Sequence, residues 1–394
     1  MRTETEGNQI IAYLNGRISS ANAGEIQNDL LNLMTGNPGR ELVIDAGELA
    51  YISSAGLRVF MQIARKQGNH LTVRNVLPEV YEIFDMTGFV SLLNVRKKPR
   101  EFSVDGCEIV GRGAIGTVYR VDEDTIVKVY ELPDSIAMIE NEQKRAKQAF
   151  LKGIPTAISY DVVKVGDKYG SVFEMLKAEN YNDALRDAPE KKDELVRKYA
   201  YFIRQIHAVE MERGELPEAK NVFIEYLESL RQILPDDLYS RLYDLLTSMP
   251  ENLHAIHGDI QMKNVMLNGD EPLLIDMETL SVGDPVFDLQ GLFLTYKLFN
   301  EDDPKNTLEF LGLPEELTDF IWEKTLEYYF DNRDENMIQR AEDKIKVIAY
   351  VRFLYSLVVL GIGKADLKQI RIEHTLGHLK EIINRVDALE IDPA

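Results

Sequence analysis

Short apolar runs alternate with helically spaced apolar positions over roughly the first hundred residues. Runs of four to eight apolar residues are typical of strands, whereas apolar positions three or four residues apart are typical of helices. Four segments are predicted to be strands: 9–14, 41–45, 70–75 and 89–95. Three segments are predicted to be helices: 22–34, the stretch after Leu57 that ends at Lys66, and 78–86. This alternation indicates a compact α/β domain.

The pattern changes after residue 105, where strands come first and helices follow. Four more segments are predicted to be strands: 108–112, 125–130, 159–165 and 169–174. Helices are predicted from Pro133 to Lys152, over 194–211 and over 222–249, and the chain from Leu308 onwards is mostly helical. The second half therefore has a small β-rich part and a larger helical part.

A basic, proline-interrupted stretch at 96–100 is the best candidate for a domain boundary. We expect four segments along the chain: a first domain over 1–98, a linker over 99–104, a β-rich lobe over 105–177 and a helical lobe over 178–394. A chain of 394 residues is long enough for two or three domains with sizeable cores.

Net charge, cysteine count and the length of the apolar runs exclude several classes of protein. The net charge of −21 argues against a nucleic-acid-binding or anionic-membrane-binding surface. A single cysteine, Cys107, excludes an internal disulfide framework and favours a reducing cytoplasm. The longest apolar run, 353–362, is too short to span a bilayer. We therefore expect a cytoplasmic protein without a nucleic-acid or membrane partner.

The stretch from Ala255 to Thr279 carries the groups that phosphoryl transfer needs. Asp259 is followed five residues later by Asn264, and the apolar run 273–275 leads directly to Asp276. A carboxylate can hold the attacking hydroxyl, and an amide oxygen with a second carboxylate can bind Mg²⁺. The alternative is that Asp259 and Asn264 are turn residues and Asp276 is a helix N-cap.

Upstream features fit the same chemistry. Gly111, Gly113 and Gly116 allow a hairpin backbone to approach phosphates closely. Lys128 lies between two valines on a predicted strand, so it faces away from them and could reach toward those phosphates. Within the following helix, Glu142 is our choice for its partner, and Glu140 is the alternative.

The end of the strand over 169–174 is where a nucleotide kinase would read adenine through backbone groups. Glu174 and Leu176 are our candidates there, and a plain strand end is the alternative. Further along, Asp288 could either hold the Asp259 loop or cap a helix. His207 is expected to be a packed or capping residue, because it lies among apolar residues of a predicted helix.

Ser54 falls at the predicted start of a helix, where unpaired N–H groups and the helix dipole favour an anion. A phosphate on Ser54 would be tolerated there and would add up to about two negative charges to an exposed turn. The alternative is that Ser53 or Ser54 only caps the helix.

Residues 9–95 resemble a STAS domain, the fold of bacterial anti-sigma-factor antagonists. The matching stretches are VIDAGELAYISSAGLRVF and VLPEVYEIFDMTGF. In that family the turn usually reads Asp-Ser-Ser-Gly, and a partner kinase phosphorylates its first Ser to break binding. That position falls on Ser54, while Ser53 stands in place of the Asp and Ala55 in place of the second Ser. The resemblance implies an anti-sigma factor or another protein as a partner.

Residues 105–394 resemble the aminoglycoside and choline phosphotransferase branch of the protein-kinase-like fold. The marks are HGDIQMKN, where eukaryotic protein kinases have an Arg after the His, and LLIDMET, where they have Asp-Phe-Gly. The fold class this implies is an α/β STAS domain plus an α+β bilobal domain with a small β-rich N-lobe and a large helical C-lobe. Gln261 departs from the His of many relatives.

That resemblance assigns a role to each candidate residue. Asp259 becomes the catalytic base, and Asn264 and Asp276 become the Mg²⁺ ligands. Lys128 would hold the α- and β-phosphates of ATP with Glu142 orienting it. The remaining positions bind nucleotide through their backbone: Gly111, Gly113, Gly116, Glu174 and Leu176.

The leading hypothesis is an ATP- and Mg²⁺-dependent phosphotransferase with a small-molecule hydroxyl acceptor, regulated or docked through its STAS domain. The second hypothesis is a protein serine kinase that acts on STAS-type serines, either its own Ser54 or that of a partner. The third is a non-catalytic module that switches partners with an anti-sigma factor.

Overall fold

In a computed structural model the chain forms two compact units. Unit 1 is built from Met1–Ser103 and Val162–Asp167, and unit 2 from Val104–Asp161 and Lys168–Ala394. The structure describes residues 1–113, 115–132, 135–331 and 334–391. Every helix in these ranges is too short or too polar to cross a lipid bilayer.

Unit 1 is a sheet with helices packed against it, as the alternating pattern predicted. Its elements are β1 (Arg2–Glu6), β2 (Gln9–Ile18), α1 (Ala23–Gly36), β3 (Glu41–Ile52), α2 (Ser54–Lys66), β4 (Thr72–Val76), α3 (Pro78–Met86) and β5 (Asn94–Lys97). The strands follow one another across the sheet in chain order. β1 is antiparallel to β2, and the other neighbouring pairs are parallel. Phe60 and Phe84 stack in the core beneath the sheet.

Two details of unit 1 differ from the prediction. The last strand begins at Asn94 rather than at residue 89, because Gly88 takes a left-handed conformation and 89–91 form a 3₁₀ turn. The edge strand β1 was not predicted: all five of its residues are exposed, so it carries no apolar alternation. Unit 1 also includes β6 (Arg100–Glu101), which pairs in parallel with β10 (Asp161–Val165).

The first part of unit 2 is an antiparallel sheet with one long helix. Its elements are β7 (Glu108–Arg112), β8 (Gly116–Arg120), β9 (Thr125–Tyr130), α4 (Ile136–Leu151) and β11 (Lys168–Glu174). β7 pairs with β8, β8 with β9, and β9 with β11. The predicted start of the helix at Pro133 lies outside the described residues.

The rest of unit 2 is mainly helical. Its short strands are β12 (Glu179–Asn180), β13 (Ala255–Ile256), β14 (Val265–Asn268), β15 (Glu271–Leu274) and β16 (Ser281–Val282). Its helices are α5 (Tyr181–Asp187), α6 (Lys192–His207), α7 (Ala219–Ser229), α8 (Asp236–Ser248), α9 (Val286–Phe293), α10 (Phe299–Glu301), α11 (Asn306–Leu311), α12 (Glu315–Tyr329), α13 (Glu335–Val358) and α14 (Lys368–Ile382).

The single helix predicted over 222–249 is two helices, so that prediction was wrong. Pro235 precedes α8, and a proline inside a helix would remove a backbone donor and clash with the preceding turn. Leu230 and Leu234 in the connection are both buried, so they continued the apolar periodicity across the break.

Candidate active site

A two-stranded hairpin brings two predicted site residues to one place. Asn264 immediately precedes β14, and Asp276 lies two residues after β15. Val265 pairs with Leu274 in the hairpin, and the Ile275 amide donates to the Asn264 carbonyl at 3.0 Å. Asn264 and Asp276 are therefore at the same end of the hairpin.

The Asp259 carboxylate is held by amide side chains of its own loop. Asn264 Nδ2 donates to Asp259 Oδ2 at 2.9 Å and to the Asp259 carbonyl at 2.8 Å. Gln261 Nε2 donates to the same Oδ2 at 3.1 Å. The Asp259 side chain keeps 32% of its surface exposed. The structure thus brings Asp259 and Asn264 together and leaves Asp259 accessible.

A fully buried carboxylate, Asp288, lies beneath this loop. It accepts hydrogen bonds from the backbone amides of His257 at 2.8 Å and Gly258 at 2.5 Å, and it contacts His207 Nε2 at 2.9 Å. Burial alone would raise the pKa of Asp288, but the hydrogen bond from His207 and the nearby histidines hold it below its ordinary value. Of the two roles considered for Asp288, holding the loop is the observed one.

His207 serves as a packed anchor for Asp288. Its Nδ1 lies 2.8 Å from the hydroxyl of Tyr329, and its side chain is 1% exposed. These contacts agree with the expectation that His207 is a structural residue.

Gly258 has a conformation that the loop requires. Its φ is 83°, and a Cβ added there would lie 2.7 Å from the Thr279 carbonyl oxygen. Thr279 in turn donates its hydroxyl to the His257 carbonyl at 2.7 Å. A side chain at position 258 would therefore push apart the two segments that carry Asp259 and Asp276.

Lys128 lies between two carboxylates. Its Nζ is 3.4 Å from Glu142 Oε1 and 2.5 Å from Asp276 Oδ1. The other oxygen of Glu142 accepts the Tyr130 hydroxyl at 2.5 Å. Burial would lower the pKa of Lys128, but Glu142 and Asp276 more than offset it and raise the pKa above its usual value. Of the two glutamates considered, Glu142 forms the contact with Lys128.

Three carboxylates in this region converge. Oxygens of Glu142, Asp276 and Glu278 all lie within 4.8 Å of one another. Burial, then the charge of Asp276, raises the pKa of Glu278, and the charge of Asp259 adds to the effect. Carboxylate and amide oxygens are the ligands that Mg²⁺ prefers, so Asp276, Glu278 and the nearby Asn264 fit that ion. Sequence analysis did not single out Glu278.

The glycine-rich segment forms a tight turn between β7 and β8. The Gly113 amide donates to the Gly116 carbonyl at 2.9 Å, and Gly111 pairs opposite Val118. A Cβ on Gly116 would lie 2.5 Å from the Val129 carbonyl oxygen of the neighbouring strand. Ala114 lies outside the described residues.

Glu174 and Leu176 lie at the end of β11. Glu174 pairs with Thr125 at the start of β9, and the amide of Met175 donates to the Asp124 carbonyl at 2.7 Å. Leu176 follows directly. Both candidates are thus at the strand end where the sequence placed them.

Arg352 is a site residue that sequence analysis missed. Its Nη1 donates to the Gly258 carbonyl at 2.8 Å, and its Nη2 lies 3.6 Å from Asp259 Oδ1. It comes from α13, far along the chain from the loop. The available signal was a lone charge within the otherwise uncharged stretch 347–360, VIAYVRFLYSLVVL.

In unit 1, Ser54 is the first residue of α2 and is exposed. The side chain of Ser53 performs the capping, because it accepts a hydrogen bond from the Gly56 amide at 3.4 Å. A Cβ on Gly56 would lie 2.7 Å from side-chain atoms of both Ile18 and Ile52, so the turn needs glycine there.

Comparison with known proteins follows the division into units. Residues 1–101 match the STAS domain, and residues 106–321 match the phosphotransferase enzyme family, APH. The putative anti-sigma factor antagonist BtrV of Bordetella bronchiseptica is 38% identical over 89 residues, which cover 22% of this chain and 76% of that protein.

Solved structures of phosphotransferases and kinases are similar to this chain, and one with a TM-score of 0.50 has the same fold. A thermostable mutant of aminoglycoside phosphotransferase APH(4)-Ia, in a ternary complex with ADP and hygromycin B, is 10% identical with a TM-score of 0.50 and covers 71% of this chain and 93% of that one. A choline/ethanolamine kinase family protein from Mesorhizobium loti is 16% identical with a TM-score of 0.48, covering 70% of this chain and 87% of that one. The two family matches confirm the predicted fold class, and the chain belongs to the phosphotransferase enzyme family, with a STAS domain preceding its kinase-like domain.

Proposed function

We propose that this protein transfers the γ-phosphoryl group of ATP to a hydroxyl of a small-molecule acceptor. The observation that carries the proposal is the convergence of Asp259, Asn264 and Asp276 at one end of a hairpin, with Lys128 and Glu142 facing Asp276. Phosphoryl transfer relies mainly on positioning and charge stabilisation, and this arrangement supplies both.

Asp259 is the proposed base. Its carboxylate accepts the proton of the acceptor hydroxyl as the hydroxyl oxygen bonds to the γ-phosphorus. The bond from the γ-phosphorus to the bridging oxygen breaks, and ADP leaves with that electron pair. The Asn264 and Gln261 amides hold one carboxylate oxygen of Asp259, so the other remains available for the acceptor.

Lys128 and Glu142 form the proposed phosphate clamp. Lys128 exchanges its contact with Asp276 for α- and β-phosphate oxygens, while Glu142 keeps the ammonium oriented. Asn264 and Asp276 are the proposed Mg²⁺ ligands. The metal, when bound, neutralises charge on the phosphates.

Backbone groups complete the proposed nucleotide site. Gly111, Gly113 and Gly116 cover the phosphates through the turn between β7 and β8, because glycine allows a backbone to come close to a ligand. The backbone at Glu174 and Leu176 reads adenine at the end of β11.

The test is ATP turnover against a panel of hydroxyl compounds, comparing wild type with Asp259→Asn. We expect the substitution to lower kcat by about 10²- to 10⁴-fold, since a positioned base contributes on that scale. Asp270→Asn is a matched control, because Asp270 is exposed and its ion pair with Lys198 lies at the surface. Equal turnover by wild type and Asp259→Asn would refute the assignment of the base.

A second candidate acceptor is the Ser54 hydroxyl of a STAS domain. Ser53 caps α2, which leaves the exposed Ser54 free of a capping role. Wild-type enzyme and ATP would be incubated with the full-length Asp259→Asn chain as substrate. Phosphate on the peptide that contains Ser54, absent from an Asp259→Asn, Ser54→Ala substrate, would support this candidate. An unmodified peptide would exclude it.

For the remaining organisation, we propose a STAS domain over 1–98, a linker over 99–104 and kinase-like lobes over 105–177 and 178–394, in a cytoplasmic protein. Similarity to the putative antagonist BtrV supports an anti-sigma factor or another protein as the partner of the STAS domain. A pull-down with and without ATP tests this. If the same amount of partner is captured with and without ATP, and ATP and Mg²⁺ do not shift the melting temperature of the protein, a non-catalytic partner-switching module is favoured.

A further inference from the structure

Arg352 occupies an unusual place for a charged residue. It lies on α13 between the buried residues Val351 and Phe353, and its own side chain is 22% exposed. A charged group in such surroundings is costly unless its head group finds compensating partners. Its partners are on the loop that carries Asp259.

The guanidinium approaches that loop at two atoms. Nη1 donates to the Gly258 carbonyl at 2.8 Å, and Nη2 lies 3.6 Å from Asp259 Oδ1. The opposite oxygen, Oδ2, already accepts from Asn264 and Gln261. The carboxylate is therefore held by neutral amides on one side and faces a positive charge on the other.

The guanidinium lies close to two neighbouring helices, α9 and α7. On α9, a Cβ added to Gly291 would be in van der Waals contact with Nη1, at 3.6 Å. Tyr226 of α7 stacks on Tyr355 of α13, with ring centroids 4.0 Å apart. The charge of Arg352 is close enough to oppose the rise that burial causes in the pKa of Tyr226. The head group therefore lies where α13 packs against α9 and α7, and its two terminal nitrogens reach the loop from there.

We propose that Arg352 is a positioning residue for Asp259, an inference that rests on the proposed phosphotransferase function. The bond to the Gly258 carbonyl fixes the backbone one residue before the base. The 3.6 Å separation from Oδ1 is too long for a hydrogen bond, so that oxygen can still accept one from an acceptor hydroxyl. Arg352 therefore sets the orientation of the base without occupying its reactive oxygen.

A purely structural role would give different results. If Arg352 only joined α13 to the loop, its loss would lower the folded fraction and leave kcat per folded molecule unchanged. A positioning role predicts lower kcat with nearly constant KM for ATP, because the proposed phosphate contact of Lys128 and the proposed Mg²⁺ ligand Asn264 are retained.

The experiment compares Arg352→Gln, Arg352→Lys and Arg352→Ala in the full-length chain. Turnover is measured with the best acceptor and as ATP hydrolysis without acceptor. We expect Gln and Ala to lower kcat by about 10- to 100-fold, since a small misplacement of a reacting group has that effect, and KM for ATP to change by less than about twofold. Lysine keeps the charge, so Arg352→Lys should recover part of the loss, and added guanidinium ion should partly rescue Arg352→Ala. Arg340→Ala, at an exposed position of the same helix, is the matched control.

Hydrogen exchange of the peptide that spans 255–264 gives a readout that does not need turnover. We expect faster exchange in Arg352→Gln than in Arg340→Ala. Wild-type kcat in Arg352→Gln, or unchanged exchange in that peptide, would overturn the proposal. If Asp259→Asn keeps full activity, the assignment of Asp259 as the base, on which this inference rests, fails, and the exchange result still decides whether Arg352 holds the loop.

Discussion

Two buried carboxylates, Asp288 and Glu142, support the two halves of the candidate active site in different ways. Asp288 binds mainly backbone: it accepts the amides of His257 and Gly258. Within the part of the chain that the structure describes, Glu142 binds only side chains, namely those of Lys128 and Tyr130. The loop that carries Asp259 is therefore held through its backbone. The position of Lys128 depends instead on side-chain rotamers.

The difference suits the separate tasks of the two halves. A base must be held in one orientation, and backbone hydrogen bonds from a buried carboxylate give that rigidity. A phosphate clamp must exchange partners, and Lys128 already contacts Asp276 as well as Glu142. Substitutions beneath the loop should therefore affect both folding and activity, whereas those around Lys128 should affect mainly nucleotide use.

The largest effect is expected for Asp288→Ala, which removes the carboxylate that holds the Asp259 loop. It would leave the backbone amides of His257 and Gly258 and the side chain of His207 without their acceptor, and we expect the free energy of unfolding to fall by about 3–5 kcal/mol with loss of activity. Chemical denaturation and ATP turnover measure the two effects, with the exposed Asp270→Ala as control. Since the pKa of Asp288 is lowered on folding, its stabilising contribution should be present above its unfolded pKa and disappear as pH falls through the folded pKa. Wild-type stability in Asp288→Ala would contradict the anchoring role.

Another buried carboxylate of unit 2, Asp284, predicts how the free energy of unfolding depends on pH. Burial raises the pKa of Asp284 from 3.8 to about 6, although the Val286 and Ile391 amides oppose the shift. Because the folded state binds this proton more tightly, its contribution is full below pH 4 and is lost as pH rises through about 6. Relative to Asp284→Asn, wild type should lose about 3 kcal/mol of stability across that range. Denaturation curves at several pH values measure the difference, and parallel pH profiles would show the prediction to be wrong.

For the part of the site that holds Lys128, the informative change is Glu142→Gln. The amide keeps an acceptor for Tyr130 but loses the charge that orients Lys128, so kcat/KM for ATP should fall by about 10- to 100-fold with little change in stability. Steady-state kinetics measure this. Glu140→Gln on the same helix is the control, and a larger effect there would mean that the wrong glutamate was assigned.

The smallest expected effect is that of Glu278→Gln. Its carboxylate lies beside Asp276, and its raised pKa reflects burial and that neighbouring charge. Removing the charge should raise the Mg²⁺ concentration for half-maximal turnover by up to about tenfold. Titration with Mg²⁺ at saturating ATP measures it, beside Glu271→Gln on the exposed end of β15. An unchanged Mg²⁺ requirement would remove Glu278 from the metal site.

Much of the fold followed from local pattern. The buried strands and amphipathic helices of unit 1, and β9 of unit 2, lie close to their predicted positions, because each carries a clear apolar period. The exceptions have specific causes. β1 has no buried face, and Leu230 and Leu234 continued a helical period across the break before Pro235.

Local sequence pattern also predicted only part of the candidate site. Asp259, Asn264 and Asp276 lie in one short stretch, so motif spacing was enough to predict that they meet. Arg352 approaches the same loop from a helix some ninety residues later. No local spacing relates such positions, and only packing of α13 against α9 and α7 brings the guanidinium to Gly258.

By itself, the sequence determined which groups are present, which of them share a strand or loop, and the order of the two domains. The tertiary structure decided which carboxylate supports which partner: Glu142 rather than Glu140 for Lys128, and Asp288 for the loop amides. The physical reason is that periodicity records which face of an element is buried. The partner across that face depends on side chains from distant elements, whose distances and directions exist only in the folded chain.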